Sequence, residues 1–572
     1  MDILQLKLTA GPTFPNIAAM LQNNAARFGD RVVFRQKSAD GEYHPTRWSD
    51  FFSDICNITR SLEECGFGAG HRMVIFSRNR LEMLELELAV MAMGGVAIPI
   101  FAHFKKPTSD LLIGFSDAGW IAAEGTDQLA QISLDQFSGK LILIDLPADR
   151  TQIPQGTFSF QDLRHRGGKT AEAVFVDADP GQVCLGMYTS GTMDVPKLVQ
   201  LTHRNILSQQ AAIAPLLKVG PDDRFLSYLP WHHSFGGIFE LFSAICNGAA
   251  YAVESSYGKD VSVLFENWKQ IRPTVFFSVP KVYQSLFEMT RQSAGAEDIF
   301  FNSGLRFVFT AAAALPVWLS DEFERRKIPV IEGWGLTETS PCCTLTDPAL
   351  ARAPGVVGMP IPGVFIRIDE EGEILIKGPN VMAGYYKNDA ANERVFTSDG
   401  WFKTGDVGEL TDAGLKLISR KDRIFKLSNG EKVIPTDLET AIQKQCHYVQ
   451  YILVTGSGAD HPVALIFPNK NLLEKPDYLR TLDEGCFCPR NLNELGRCLT
   501  GCLKTANDTI HQKFSKLKSA AVILDELSID NATLTPSMKM APNNVLAKYR
   551  DHLRKLYGDD VPTDQEVYVI EL

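Results

Sequence analysis

Three groups of side chains in this 572-residue chain have the types and spacing for phosphate chemistry. The first is Tyr188-Thr-Ser-Gly-Thr-Met-Asp-Val-Pro-Lys197. Thr189, Ser190 and Thr192 bring three hydroxyls, and Gly191 lets backbone N–H groups close round an oxyanion. Lys197 supplies a cation. The lysine has no glycine before it and no Ser/Thr after it, so this is not a Walker A loop. An ordinary Ser/Gly/Thr turn is the bland alternative. The second group is Gly333-Trp334-Gly335-Leu-Thr337-Glu338. Two glycines are expected to kink the chain round Trp334, which suits stacking on or beside a purine. Thr337 offers a hydroxyl to a phosphate oxygen, and Glu338 is a hard oxygen ligand suited to Mg2+. The third is Thr404-Gly405-Asp406, with Arg420-Lys421-Asp422 a few residues on. A carboxylate has acceptor sites enough for a bidentate contact with two donors. Equally, Asp406 could be a turn residue and Arg420 to Lys426 a solvated face.

These groups need elements to hold them. Val183 to Tyr188 is a short apolar run that predicts a strand entering the first group. Upstream, spacing predicts helices over about Phe14–Phe28, Trp48–Cys65 and Leu81–Met93. Strands are predicted at Arg31–Arg35, Met73–Phe76, Val96–Ile100, Trp120–Ala123 and Leu141–Asp145. Alternating strand and helix argues for an α/β layer with a parallel sheet. Pro273 to Tyr283 predicts a strand running into a helix. Leu305 to Thr310 predicts a strand ending in the small residues Ala311–Ala314, where a flat ring could approach the backbone. Gly355 to Tyr386 alternates short strands with glycine turns, which suggests a small β-subdomain. Beyond Val449, strands are expected at Val449–Thr455, Pro462–Phe467 and Ala521–Leu524, with helices to about Leu517 and again over Lys548–Tyr557.

Composition narrows the class. The chain is 45% hydrophobic and 22% charged, which is globular, and too long for one core. A net charge of −11 argues against broad binding to nucleic acid. The N-terminus shows no signal peptide. The longest apolar stretch, near Leu88–Phe101, is broken by Gly94, Gly95 and Pro99 and is too short to span a bilayer. The expected location is the cytoplasm, with peripheral membrane contact left open. Eleven cysteines need not form disulfides there. Cys486, Cys488, Cys498 and Cys502 lack the paired Cys-x-x-Cys spacing of common zinc sites and are expected to be incidental thiols.

The first group resembles the phosphate loop of the adenylate-forming superfamily, Tyr-Thr-Ser-Gly-Thr-Thr-Gly-x-Pro-Lys-Gly followed by Leu-Thr-His-x-Asn. It departs at Met193, Asp194 and Leu198, and keeps Leu201, Thr202, His203 and Asn205. The second group is similar to the same superfamily's Gly-Tyr-Gly-Leu-Thr-Glu. Leu229-Pro-Trp-His-His233-Ser-Phe-Gly236 resembles its Leu-Pro-x-x-His-x-x-Gly. Asp399-Gly-Trp-Phe-Lys-Thr-Gly-Asp406 resembles its Gly-Trp-x-x-Thr-Gly-Asp. Ser-Val-Pro-Lys-Val-Tyr283, Leu427-Ser-Asn-Gly430 and Thr533-Leu-Thr-Pro-Ser-Met-Lys539 look most like the long-chain acyl-CoA synthetase branch. There the last motif continues with further basic residues, where this chain has Ala541 and Pro542.

The resemblance implies a large N-terminal domain of stacked α/β layers plus the small β-subdomain, residues 1–420. A smaller, mobile α+β domain would follow, residues 423–572, turning about a hinge at Asp422. It implies ATP and Mg2+ as cofactors and CoA as co-substrate, with an acyl carrier protein as the other thiol acceptor. A carboxylic acid, of medium or long chain, would be activated as its adenylate. Catalysis would fall to Lys539, Glu338, Thr337 and Lys197, with Glu338 on the metal. Nucleotide contacts would come from Thr189, Ser190, Gly191, Thr192, Ala312, Ala313, Gly333, Trp334, Gly335, Asp406 and Arg420. His233 and Gly236 would wall the acyl pocket. A non-catalytic fatty-acid or nucleotide-binding relative is the rival reading, and Asp194, Leu198 and Ala541-Pro542 are its support.

Overall fold

A computed structural model describes residues 3–38, 40–165, 173–189, 196–254, 256–291, 295–311, 315–350, 352–353, 355–446, 448–470, 489–528, 531–535, 539–562 and 567–572. Ser190, Gly191, Thr192, Met193, Asp194, Ala312, Ala313, Cys486 and Cys488 lie outside the described residues. The chain divides into two units. One is Met1–Thr404 with Glu409–Lys416, and the other is Gly405–Gly408 with Leu417–Leu572.

Within the first unit, strands Arg72–Phe76, Val96–Ile100, Trp120–Ala123 and Lys140–Leu143 run parallel. The alternation of strand and helix dictates this, because each crossover helix returns the chain to the same edge. The sheet grows antiparallel at one end. There Val183–Thr189 pairs with Lys197–Thr202, and Lys197–Thr202 with Gly384–Tyr385. A second parallel set comprises Val32–Lys37, Ala250–Val253, Arg224–Ser227, Val275–Ser278, Phe307–Thr310 and Val330–Trp334. Strands Val356–Pro360, Phe365–Ile368 and Glu373–Lys377 of the glycine-punctuated β-subdomain belong to this sheet, while Gly384–Tyr385 joins the other one. Tyr43–Arg47 adds an antiparallel edge strand beside Val32–Lys37.

The helix Leu81–Ala92 is buried along its whole length, acidic residues included. Glu85 pairs with Arg164 at 3.1 Å. Glu87 is 1% exposed, and neither of its oxygens has a hydrogen-bond partner among the described residues. Desolvation raises its pKa from the ordinary 4.5 to about 8. The folded state therefore keeps this proton between pH 4.5 and 8 while the unfolded chain releases it, so stability falls as pH rises through that window. Glu87→Gln is expected to match the wild type below pH 4.5 and to exceed it by roughly 3 kcal/mol at pH 7. Urea denaturation at pH 5 and pH 8 measures this. An equal pH slope in the two proteins would refute it.

In the second unit a four-stranded sheet runs in the order Val449–Thr455, Val463–Pro468, Ser519–Ile523, Val567–Glu571. Helices Pro435–Gln445 and Leu492–Thr509 cover one face through Leu438, Ile442, Leu495, Leu499 and Leu503. The other face carries Leu453, Leu465, Phe467 and Ile523 against Val545, Tyr549 and Leu556. The basic C-terminal segment is two short helices, Pro542–Lys548 and Arg550–Leu556. Cys498 and Cys502 lie on the long helix. No helix among the described residues is long and apolar enough to cross a membrane.

Candidate functional site

Strand Val183–Thr189 turns back on strand Lys197–Thr202 in antiparallel register, with Thr189 opposite Lys197. Thr189 and Lys197, which flank the hydroxyl-rich segment in the sequence, are thus cross-strand neighbours. Lys197 has no carboxylate partner among the described residues, and its ammonium lies 5.4 Å from the centre of the Tyr385 ring. Downstream, Thr202 caps helix His203–Leu217 in a capping box with Asn205.

His203 and Asn205 have structural tasks. Buried His203 Nδ1 accepts the Ile17 backbone N–H at 3.3 Å, and burial lowers its pKa to about 4. The Asn205 amide donates to the carbonyls of Pro379 and Val381, each at 2.8 Å. Asn380 in turn donates to the Thr339 and Cys342 carbonyls, and the Met382 N–H to the Glu338 carbonyl. A motif beside this strand pair therefore fixes the backbone that carries Glu338.

Gly333 and Trp334 end strand Val330–Trp334, and Thr337 begins a short 3-10 turn through Thr339. Neither Gly333 nor Gly335 has a positive φ. The expected kink is replaced by close approach. A Cβ on Gly333 would stand 2.7 Å from the Phe309 ring, and one on Gly335 1.7 Å from the Pro341 carbonyl oxygen. Thr337 Oγ1 lies 3.0 Å from Ser234 Oγ. Glu338 is half-buried, and its Oε1 accepts the Tyr385 hydroxyl at 2.7 Å.

Ser234 follows His233 directly, so the Leu-Pro-Trp-His-His segment meets the Thr-Glu turn through this hydroxyl pair. His233 Nδ1 accepts the Phe235 N–H at 3.3 Å. Gly236 sits inside a π-helical stretch, Phe235–Glu240, where a Cβ would meet the Pro230 carbonyl at 2.7 Å. Its neighbour His232 is pushed down to about pKa 3 by burial and by the charges of His233 and His103.

In the second unit Asp406 is 8% exposed and pairs with Arg420 at 3.0 Å. Arg420 Nε also stands 3.7 Å from the exposed Asp422 carboxylate. Lys539 is surface-exposed and held in a turn, its N–H on Thr535 Oγ1 and its carbonyl accepting the Thr535 N–H. Desolvation lowers the pKa of its ammonium, the Asp406 charge opposing that shift and the Arg420 charge adding to it.

Sequence reasoning missed Tyr385 and Ser234, the side chains bonded to Glu338 and Thr337. Ser234 lies within the Leu229–Gly236 motif, and Tyr385 within the glycine-punctuated stretch Gly355–Tyr386, which was read for its turns alone. No cluster of three His, Cys, Asp or Glu suited to a metal exists among the described residues. Glu338, with one oxygen unbonded among the described residues, suits a Mg2+ ion held mainly by phosphates and water.

Activating an acid on the α-phosphate of ATP needs cations near the triphosphate and a separate anchor for the ribose. Lys197 and Glu338 in the first unit, and Asp406 and Arg420 in the second, are of these chemical types. Comparison with known families defines the class, the AMP-forming acid ligases. The model described as "AMP-binding enzyme" matches residues 21–386, and that described as "AMP-binding enzyme C-terminal domain" matches 422–560. The chain belongs to the AMP-binding enzyme family. It is 25% identical to rat long-chain-fatty-acid–CoA ligase 5, over 90% of this chain and 84% of that one. It is 26% identical to the long-chain-fatty-acid–CoA ligase FadD15 of Mycobacterium bovis, over 95% and 97%. In fold it is similar to Bacillus subtilis o-succinylbenzoate CoA synthetase solved with AMP, at TM-score 0.71 and 22% identity, covering 93% and 98% of the chains. The A-PCP didomain of Segniliparus rugosus carboxylic acid reductase, solved with AMP, gives TM-score 0.76 at 20% identity, covering 96% and 82%.

Proposed function

We propose that this enzyme joins a carboxylic acid, of the medium- or long-chain fatty acid class, to the thiol of CoA. A carboxylate oxygen attacks the α-phosphorus of ATP, and the bond to pyrophosphate breaks. The thiol sulfur then attacks the acyl carbon, and AMP leaves with the bonding pair. The carrying observation is the grouping of Lys197, Thr337 and Glu338, with Lys197 unpaired by any carboxylate among the described residues. Support for the acid class comes from relatives named as long-chain acyl-CoA ligases.

In this reading Thr189, Ser190, Gly191, Thr192 and Lys197 hold the distal phosphates, and Glu338 holds Mg2+, which neutralises phosphate charge. Gly333, Trp334, Gly335, Ala312 and Ala313 flank the adenine. Asp406 and Arg420 take the ribose, His233 and Gly236 wall the acyl group, and Lys539 meets the reacting carboxylate and α-phosphate. Residues 423–572 turn about Asp422 between the two steps. The compartment is taken as the cytoplasm, where a chain of eleven cysteines need not form disulfides.

Pyrophosphate release with ATP and Mg2+, across acids from acetate to palmitate plus aryl acids, tests this with and without CoA. Release on fatty acids with acyl-CoA formed supports it. Release without CoA use turns the reading to a carrier-protein thiol or another acceptor. Bound ATP with no turnover on any acid would favour a non-catalytic relative.

A further inference from the structure

Glu338 and Lys197 come from segments far apart in the chain, and they share one neighbour. Tyr385 stands on the two-residue strand Gly384–Tyr385, opposite Val199 of the strand that Lys197 begins. It is 4% exposed. Its hydroxyl donates to Glu338 Oε1 at 2.7 Å, and its ring faces the Lys197 ammonium at 5.4 Å. Glu338 Oε2 has no hydrogen-bond partner among the described residues.

We propose that Tyr385 is a positioning residue of this site, its phenol fixing Glu338 for Mg2+ and its ring seating the Lys197 ammonium. A phenol bonded to one carboxylate oxygen restrains a side chain that otherwise loses much rotamer freedom on binding a cation. It does so without occupying the second oxygen. An aromatic face likewise attracts an ammonium without neutralising it. A carboxylate in the same place would compete with phosphate for the lysine. This proposal rests on Glu338 and Lys197 being nucleotide ligands.

The test is calorimetric binding of a non-hydrolysable ATP analogue, with Mg2+ and with the metal chelated, to the wild type, Tyr385→Phe, Tyr385→Leu and Glu338→Gln. Tyr385→Phe keeps the ring and should weaken Mg2+-dependent binding roughly 10-fold while leaving metal-free binding unchanged. Tyr385→Leu should in addition weaken metal-free binding about 2- to 5-fold, through loss of the cation–π contact. A purely structural tyrosine would instead lower the melting temperature and leave the metal dependence as in the wild type. Wild-type metal dependence in Tyr385→Phe, with Glu338→Gln impaired, would overturn this proposal alone. Wild-type metal dependence in Glu338→Gln would overturn the assignment of Glu338 beneath it, and this proposal with it.

Discussion

Lys539→Ala is expected to slow pyrophosphate release by roughly 10²- to 10³-fold, the loss typical when one preorganised group leaves a site of developing charge. The structure gives the reason for so large an effect. Lys539 lies in a turn tied by Thr535, within electrostatic reach of Asp406 and Arg420. If Asp406 and Arg420 hold the ribose, the ammonium meets the α-phosphate and the incoming carboxylate. Two anions must approach there, and nothing else in the second unit has been assigned to offset their repulsion. The second half-reaction should be spared. Thioester formed from chemically prepared acyl-adenylate and CoA should proceed within a few-fold of the wild type. Equal losses in both half-reactions would contradict the assignment, since a misfolded second unit would produce that too.

The second large effect is expected at Glu338. Glu338→Gln retains an oxygen to accept the Tyr385 hydroxyl, so the turn from Thr337 to Thr339 should keep its shape. What it loses is charge. Magnesium favours anionic oxygen, so the apparent Mg2+ requirement should rise about 10-fold or more, with kcat/KM for ATP falling on the order of 10²-fold. Excess Mg2+ should recover part of the loss. Titrating Mg2+ at fixed ATP checks this, and an unchanged requirement would remove Glu338 from the metal.

Much of this was legible in residue types. The parallel strands follow from apolar runs alternating with amphipathic helices, and helix Leu81–Ala92 from its run of Leu, Met and Ala; that Glu82, Glu85 and Glu87 are buried with it could not be read from the pattern. Other features needed three dimensions. Gly333 and Gly335 are simply glycines in the sequence; that they make room for the Phe309 ring and the Pro341 carbonyl depends on partners no local pattern reveals. His203 and Asn205 resembled a motif without showing a purpose, which is to tie Ile17 and the 379–381 segment. The strand Val567–Glu571 closes the second unit's sheet from the far end of the chain, and its short, partly charged run gave little sign of it. Tyr385 and Tyr386 are identical in type. Only pairing across Val199 turns the first toward Glu338, while the second stacks under Arg72 at 3.7 Å and bonds Asp117.

Lys197 opens a strand that is paired on both sides, to Val183–Thr189 and to Gly384–Tyr385. Its facing is therefore set by the cross-strand pairs of Lys197 with Thr189 and of Val199 with Tyr385 rather than by the residues that precede it, because side chains alternate along a registered strand. Sequence change before Lys197 can thus accumulate without moving the ammonium away from the Tyr385 ring.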